Sequence, residues 1–125
     1  MAIIGAHMLL YSSEAEKLRT TLRDIFGFKS VDAGRGWLIF ALPPSELGIH
    51  PAEGPGESCG THEISLMCDD IRATAAELRK KGIEIEGEPQ DRGFGIAVRM
   101  KLPGGVTILL YEPRHATAIE LAQQR

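Results

Sequence analysis

Two side chains that suit metal binding or proton transfer, His7 and Glu63, lie in short apolar runs far apart in the chain. A neutral imidazole binds first-row metals and titrates near neutrality, so His7 could act as a ligand or as a general base. A carboxylate within an apolar run needs a partner, because an unpaired buried charge is very costly. For Glu63 that partner could be a metal, His7 or Arg99. Alternatively, His7 is a hydrogen-bonded histidine beside a strand, and Glu63 is exposed to solvent.

These two residues occupy matching places in an internal repeat. Each lies seven positions before a residue that suits a helix start, Glu14 in the first half and Asp70 in the second. The two helix starts are 56 positions apart, and so are Leu22 and Leu78, which fall on the apolar faces of the predicted helices. A constant offset over a supersecondary unit indicates a duplication.

The pattern of apolar residues and breakers predicts one strand, one helix and three further strands in each half. The predicted strands are 3–12, 30–33, 37–42 and 46–50, then 61–68, 83–86, 93–101 and 106–112. The single domain, residues 1–125, thus divides into a first βαβββ module (3–51), a linker (52–60), a second βαβββ module (61–113) and a C-terminal tail (114–125).

One βαβββ module cannot bury its sheet face alone, so the two modules are expected to combine their sheets over the helices. The predicted fold is α+β, with a curved mixed sheet and a central trough that forms a natural ligand site. We expect Tyr11, Trp37, Arg99 and Tyr111 to line this trough. For Trp37 the alternative is a core or interface position, and for the tyrosines it is ordinary ring packing.

The duplicated order and three segments resemble the vicinal oxygen chelate superfamily, which includes glyoxalase I, bleomycin- and fosfomycin-resistance proteins and extradiol dioxygenases. The segments are Phe26-Gly27-Phe28, CDDIRATAAELRKKGI (68–83) and LPGGVTILLYEP (102–113). The resemblance spans residues 3 to about 113. It implies the tandem βαβββ architecture, and it implies a homodimer, sometimes with the trough built across two chains. One scaffold carries many activities here, so the resemblance does not select one of them.

In metal-using members, the resemblance implies ligands from the first strand of each module. Those positions fall on His7 and Glu63 if the second module has no insertion. A one-residue bulge would bring in His62 instead of Glu63, because a shift by one residue turns a side chain to the other face.

The last strands depart from the family pattern. There the ligand glutamate lies four residues before a proline, and this chain has Leu47 and Leu109 at those two positions. Leucine cannot coordinate a cation. His50 is the candidate third ligand beside His7 and Glu63, with His62 or Glu112 as substitutes. The donors nearest to these leucines are Glu46, His50 and Glu112, and a register shift would be needed to bring any of them to the centre.

Two functions therefore compete. The first is metal-assisted chemistry of the lyase, isomerase or ring-cleaving dioxygenase type, with Fe, Mn, Ni or Zn held by His7, Glu63 and His50. The alternative is a metal-free protein that binds or sequesters a small molecule, as the bleomycin-resistance proteins do. A metal-independent enzyme with His7 as general base lies between them. Whether the protein is an enzyme stays open.

Composition excludes other classes of partner. The chain has 125 residues, a formal net charge of -3 and 43% apolar residues, close to the average for globular proteins. It has no basic footprint for nucleic acid and no apolar run long enough for a membrane span. Its two cysteines suit free thiols, and we expect a cytoplasmic protein. His115 lies outside the repeat and is expected to be exposed.

Overall fold

The computed structural model describes residues 7–49 and 61–123. In chain order these residues form α1 (Ala15–Asp24), β1 (Ser30–Asp32), β2 (Leu38–Phe40), β3 (Ser65–Met67), α2 (Ile71–Lys80), β4 (Glu84–Asp91), β5 (Gly95–Leu102), β6 (Val106–Pro113) and a terminal 3-10 helix (Ile119–Gln123). The mixture of helices with a mixed sheet confirms the predicted α+β class. Over the described residues, no helix has the length and apolar character that crossing a bilayer requires.

The second half forms a complete βαβββ unit. Its sheet has the strand order β3-β6-β5-β4, with β3 parallel to β6 and the other neighbours antiparallel. β4 continues past the predicted end at Glu86 to Asp91, across a register shift between Glu86 and Gln90. Residues 87–92, between the predicted strands 83–86 and 93–101, were expected to form a loop because they include Gly87 and Pro89 and are followed by Gly93. Most of this segment is instead an irregular strand, because β5 offers its backbone as a partner there.

Helix α2 forms where the repeat predicts it. The Asp70 side chain accepts a hydrogen bond of 3.1 Å from the Ala73 backbone N–H, which satisfies one of the free amides at the helix start. Ile71, Ala75 and Leu78 are buried along one face, as the helical spacing requires. This face packs on the sheet.

The core lies between the helices and one face of the four-stranded sheet. Strand β6 contributes Val106, Ile108 and Leu110, and Met100 on β5 is fully buried. Leu18 from α1 belongs to the same cluster. The two halves of the chain thus share one apolar core on this side of the sheet.

The start of α1 is fixed to the turn between β5 and β6. The Ser13 backbone N–H donates to the Gly104 carbonyl at 3.1 Å, and the Ser12 hydroxyl donates to the Pro103 carbonyl at 2.7 Å. In return, the Gly104 N–H donates to the Glu14 carboxylate at 3.1 Å. These bonds join residues about 90 positions apart in the chain.

The first half forms the predicted hairpin. Strands β1 and β2 pair antiparallel, with Val31 opposite Ile39. The Asp32 carboxylate accepts hydrogen bonds from the Gly34 and Gly36 amides, at 2.7 and 3.2 Å, and so stabilises the turn.

The outer strands of the first half differ from the prediction. Residues 7–12 and 46–49 have no strand structure, although strands were predicted at 3–12 and 46–50. Residues 3–6 and His50 lie outside the described residues. A strand is stable only when its backbone groups are paired, and within the described chain the β1–β2 hairpin is a sheet of two strands alone. The apolar pattern is present in these segments, but the pairing is not.

Candidate functional site

The face of the four-stranded sheet opposite the core carries the candidate site. Because side chains alternate along a strand, the residues between the core positions of β6 point to this other face. The same alternation applies to β3 and β5, which are in register with β6. We call this surface the open face, and it comprises Ser65, Met67, Ala97, Arg99, Leu109 and Tyr111.

A hydrocarbon side chain, that of Leu109, occupies the centre of the open face. Leu109 lies opposite Ser65 on β3 and opposite Arg99 on β5. It is half-buried, and its neighbours are a hydroxyl and a guanidinium rather than further carboxylates. The strand parity that the sequence predicted for this position is therefore right, but the side chain there is hydrocarbon.

Charged residues border the open face along β4 and β5. Arg99 is paired in register with Glu86, and Lys101 contacts the Glu86 carboxylate at 3.0 Å and the Glu84 carboxylate at 3.6 Å. The hydrogen bond to Glu86, followed by the charges of both carboxylates, raises the pKa of Lys101. Arg99 also lines a hollow of about 220 Å³ at the irregular part of β4, with Gln90.

The end of the open face near the chain terminus is aromatic. The Tyr111 ring meets Phe94 edge-on with 5.4 Å between ring centroids, and it stacks on His115 at 5.9 Å. Gly95 lets the Tyr111 ring approach the backbone, since a Cβ at that position would lie 2.9 Å from Cδ2 of the ring. Tyr111 is consequently 7% exposed.

A hydrogen-bonded polar cluster surrounds the phenol. The Tyr111 hydroxyl lies 3.0 Å from Nε2 of His115, and the Glu46 carboxylate lies 3.8 Å from the same nitrogen. Glu46 also accepts a bond of 2.8 Å from the Ala118 N–H, which holds the tail against the first half. Burial, and secondarily the Glu46 charge, raises the pKa of Tyr111.

Sequence reasoning missed this cluster. His115 was expected to be exposed because it lies outside the repeat, but the imidazole is half-buried against Tyr111. The contact depends on the turn of the chain after Pro113, where no apolar periodicity gives a signal. Phe94 falls within the predicted strand 93–101, where sequence reasoning assigned it no role in a site.

Glu112, one of the substitute metal ligands, has a different role. Its carboxylate accepts a 3.1 Å hydrogen bond from the Ile71 backbone N–H at the start of α2. It therefore lies on the helix side of the sheet, opposite to Leu109, as strand parity predicted. There it accepts a hydrogen bond from a free amide at the start of the helix, and it does not face a ligand on the open face.

The other predicted site residues do not belong to the strands of this sheet. His7 and Glu63 are exposed, and neither belongs to a strand. Tyr11 is 87% exposed; Trp37 is 57% exposed, with the Arg19 guanidinium 4.8 Å from its ring centroid. Arg99 and Tyr111 are thus the two predicted ligand-binding residues that share the open face. The roles of His7 and Glu63, and that of His50 outside the described residues, stay predictions.

The metal set that the resemblance implies does not fit the described residues. Among them, no three His, Cys, Asp or Glu side chains lie close enough together to hold an ion. Leu109 replaces the carboxylate on the last strand, and Glu112 is engaged at the start of α2. We therefore derive no chemical step through a metal.

Comparison with known families agrees with this architecture. The profile of the Glyoxalase/Bleomycin resistance protein/Dioxygenase superfamily matches residues 5–110. The chain therefore belongs to this superfamily. Among curated proteins, no significant match was found.

Solved structures of this fold are similar over most of the chain. TnmS3, an antibiotic binding protein from Streptomyces sp. CB03234, is 24% identical with a TM-score of 0.65, over 90% of this chain and 98% of that one. Lactoylglutathione lyase from Agrobacterium tumefaciens is 19% identical with a TM-score of 0.60, over 89% and 92%. At these identities the likeness establishes the fold alone.

Proposed function

We propose that the open face binds a small, partly aromatic molecule without the help of a metal ion. The observation that carries this proposal is Leu109, a hydrocarbon side chain at the position where metal-using relatives are expected to have a carboxylate. An apolar surface with a few convergent polar groups is typical of small-molecule sites. The similarity to an antibiotic binding protein supports the same function.

Each part of the open face would contribute a different interaction. Met67 and Leu109 provide apolar contact area, and a thioether adapts well to flat ligands. Phe94, which is 43% exposed, offers a ring for stacking, and the buried Tyr111 ring supports it in an edge-on contact. Arg99, exposed at the border, can hydrogen-bond a polar substituent of the ligand.

Thermal unfolding in the presence of a panel of small aromatics and antibiotics tests the proposal. A ligand that binds only the folded state must raise the melting temperature. The variant Leu109→Arg should abolish the shift, because it places a charge at the centre of the open face. Ala76→Arg, on the exposed side of α2, is the matched control and should keep the shift. A panel without any stabilising member would contradict the proposal.

The metal-assisted lyase or dioxygenase function predicts a different result. If His7, Glu63 and His50 held Fe, Mn, Ni or Zn, elemental analysis of the purified protein should give about one ion per chain. We expect far less than one, and ligand-induced stabilisation that survives a chelator. A stoichiometric ion lost in His7→Ala would overturn the metal-free proposal.

We also propose that two copies of the chain associate through the first half. Large apolar side chains are exposed on its surface, among them Leu9, Tyr11, Trp37 and Leu47. In the repeat, Leu10 corresponds to Leu66, which packs on the core of the second half. A second copy would cover these exposed apolar side chains.

The cytoplasmic location stays a prediction.

A further inference from the structure

We propose that Glu46, Tyr111 and His115 form a subsite that selects a protonated amine on the ligand of the open face. The inference rests on the proposed function, because it assigns a ligand chemistry to one end of the same surface. Its basis is a count of hydrogen-bond donors and acceptors. The hydrogen-bonding positions that remain available in the cluster are all acceptors.

The His115 imidazole sets the direction of the hydrogen bonds in the cluster. Nδ1 of His115 lies 2.9 Å from the Ala116 carbonyl oxygen. A carbonyl only accepts, so Nδ1 must carry a proton, and in the neutral ring Nε2 then has a lone pair. That lone pair receives the Tyr111 hydroxyl proton across 3.0 Å. The Tyr111 hydroxyl thus donates its hydrogen to His115, and its oxygen can only accept a further hydrogen bond.

Glu46 adds a negative charge to these acceptors. One carboxylate oxygen accepts from the Ala118 N–H at 2.8 Å. The other lies 3.8 Å from Nε2 of His115, which is beyond hydrogen-bond distance. The side chain is 20% exposed, and among the ion pairs of the described residues its partner is His115 rather than a lysine or arginine. A mostly covered carboxylate without a permanent cation favours a cationic ligand.

The row of rings that begins at His115, next to the carboxylate, points to the same class of ligand. The Tyr111 ring centroid lies 5.9 Å from that of His115 and 5.4 Å from that of Phe94, and Phe94 is 43% exposed. Aromatic faces attract cations, and a nearby carboxylate strengthens the charge-assisted hydrogen bond of an ammonium group. An aromatic amine could thus place its ring on the apolar centre and its ammonium at Glu46.

The competing arrangement is an internal ion pair. If His115 were an imidazolium, Nε2–H would neutralise Glu46, and the cluster would serve only to fasten the tail to the first half. Nitrogen NMR of the imidazole distinguishes the two states without any ligand. We expect the ring with its proton on Nδ1 and a lone pair on Nε2, as the contact with the Ala116 carbonyl requires. Observation of the imidazolium or of the Nε2–H tautomer would overturn the proposal.

Binding of three matched probes supplies the second test. Naphthylmethylamine, naphthalenemethanol and naphthoic acid share one ring system and differ in the charge of the substituent. Calorimetry should show the amine binding about tenfold more tightly than the alcohol and more tightly still than the acid. Glu46→Gln should reduce the preference to within about twofold, whereas Glu120→Gln, an exposed carboxylate of the same tail, should preserve it.

The outcomes separate the subsite from the proposed function. Equal affinity for the three probes, or a preference that survives Glu46→Gln, would overturn the subsite and leave binding by the open face intact. Failure of all three probes to bind would count against both. Tyr111→Phe should move the His115 Nε2 resonance, because the ring stays and the donated proton is lost; an unchanged resonance would contradict the hydrogen bond on which the count depends.

Discussion

Leu109 and Glu112 lie on the same strand, three positions apart, and have opposite roles. Leu109 belongs to the open face, whereas Glu112 reaches the first turn of α2 and accepts the Ile71 N–H. Alternation along β6 separates the two side chains, because an odd spacing places residues on different faces. Glu112 is therefore close to the family's ligand position in the sequence, but its carboxylate lies on the other face of the sheet.

Replacement of Glu112 by alanine tests its role at the helix. We expect Glu112→Ala to lower the free energy of unfolding by about 1 kcal/mol, because the Ile71 amide loses its acceptor. Glu112→Gln keeps a side-chain oxygen and should lose less. Urea denaturation measures both, with Glu120→Ala as an exposed control. A loss of ligand binding with unchanged stability would indicate that Glu112 acts at the open face instead.

Cys68 gives a prediction for pH dependence. Burial, and more weakly the charge of Glu112, raises the pKa of this thiol. The folded state therefore favours the neutral thiol, so this contribution to stability is present at neutral pH and is lost as pH rises above the ordinary thiol value of about 8.5. In a Cys59→Ser background, alkylation of Cys68 should be slower than that of a free thiol at the same pH. A faster reaction would contradict the assignment.

At the scale of elements, the position of α1 depends on one turn. Gly104 has φ near +82°, and a Cβ there would overlap Ser12 Oγ and lie 2.5 Å from the Glu14 nitrogen. Gly105 has nearly the same backbone conformation, φ near +81°, but nothing within 4 Å of its Cβ direction. The two adjacent glycines separate the cost of backbone conformation from the cost of the contact with α1.

The paired variants Gly104→Ala and Gly105→Ala exploit this difference. Gly105→Ala should cost about 1–2 kcal/mol, the strain of a Cβ at positive φ. Gly104→Ala should cost roughly 2 kcal/mol more, because the segment before α1 must also move. Urea unfolding gives both values. Equal losses would mean that the start of α1 does not rest on this turn in solution.

For the whole molecule, the two halves differ in how well they cover their apolar side chains. The second half buries its sheet on the helix side, while Tyr11 and Leu47 in the first half are each 87% exposed. Large apolar patches on a protein surface usually mark sites of interaction with another molecule. Association of two copies would also decide whether a trough forms between modules of one chain or of two.

Light scattering after gel filtration tests the association. We expect a mass twice the 13.6 kDa of one chain at micromolar concentration. The double variant Trp37→Glu/Leu47→Glu should shift the protein to monomer, because it places charges on the apolar surface of the first half. Leu121→Glu, an exposed apolar position in the tail, should leave the mass unchanged. A wild-type monomer would contradict the proposal.

The sequence by itself indicated an internal repeat, and it determined the second βαβββ unit and the hydrocarbon at position 109. Helix α2 follows from Asp70 and the spacing of Ile71, Ala75 and Leu78, because caps and amphipathic faces are local properties. The face of Leu109 follows from strand parity, which is local as well. Periodicity also assigned strands to 3–12 and 46–50, and it could not supply partners for their described parts, 7–12 and 46–49.

Only the tertiary structure decided which distant residues share a site. The cluster of Glu46, Tyr111 and His115 joins the first half, β6 and the tail, and no short-range pattern connects three such segments. The extension of β4 to Asp91 likewise depends on the pairing offered by β5. The path of the backbone decides which segments come close enough for hydrogen bonds and ring contacts. That path depends on the packing of the whole molecule and not on any one stretch of sequence.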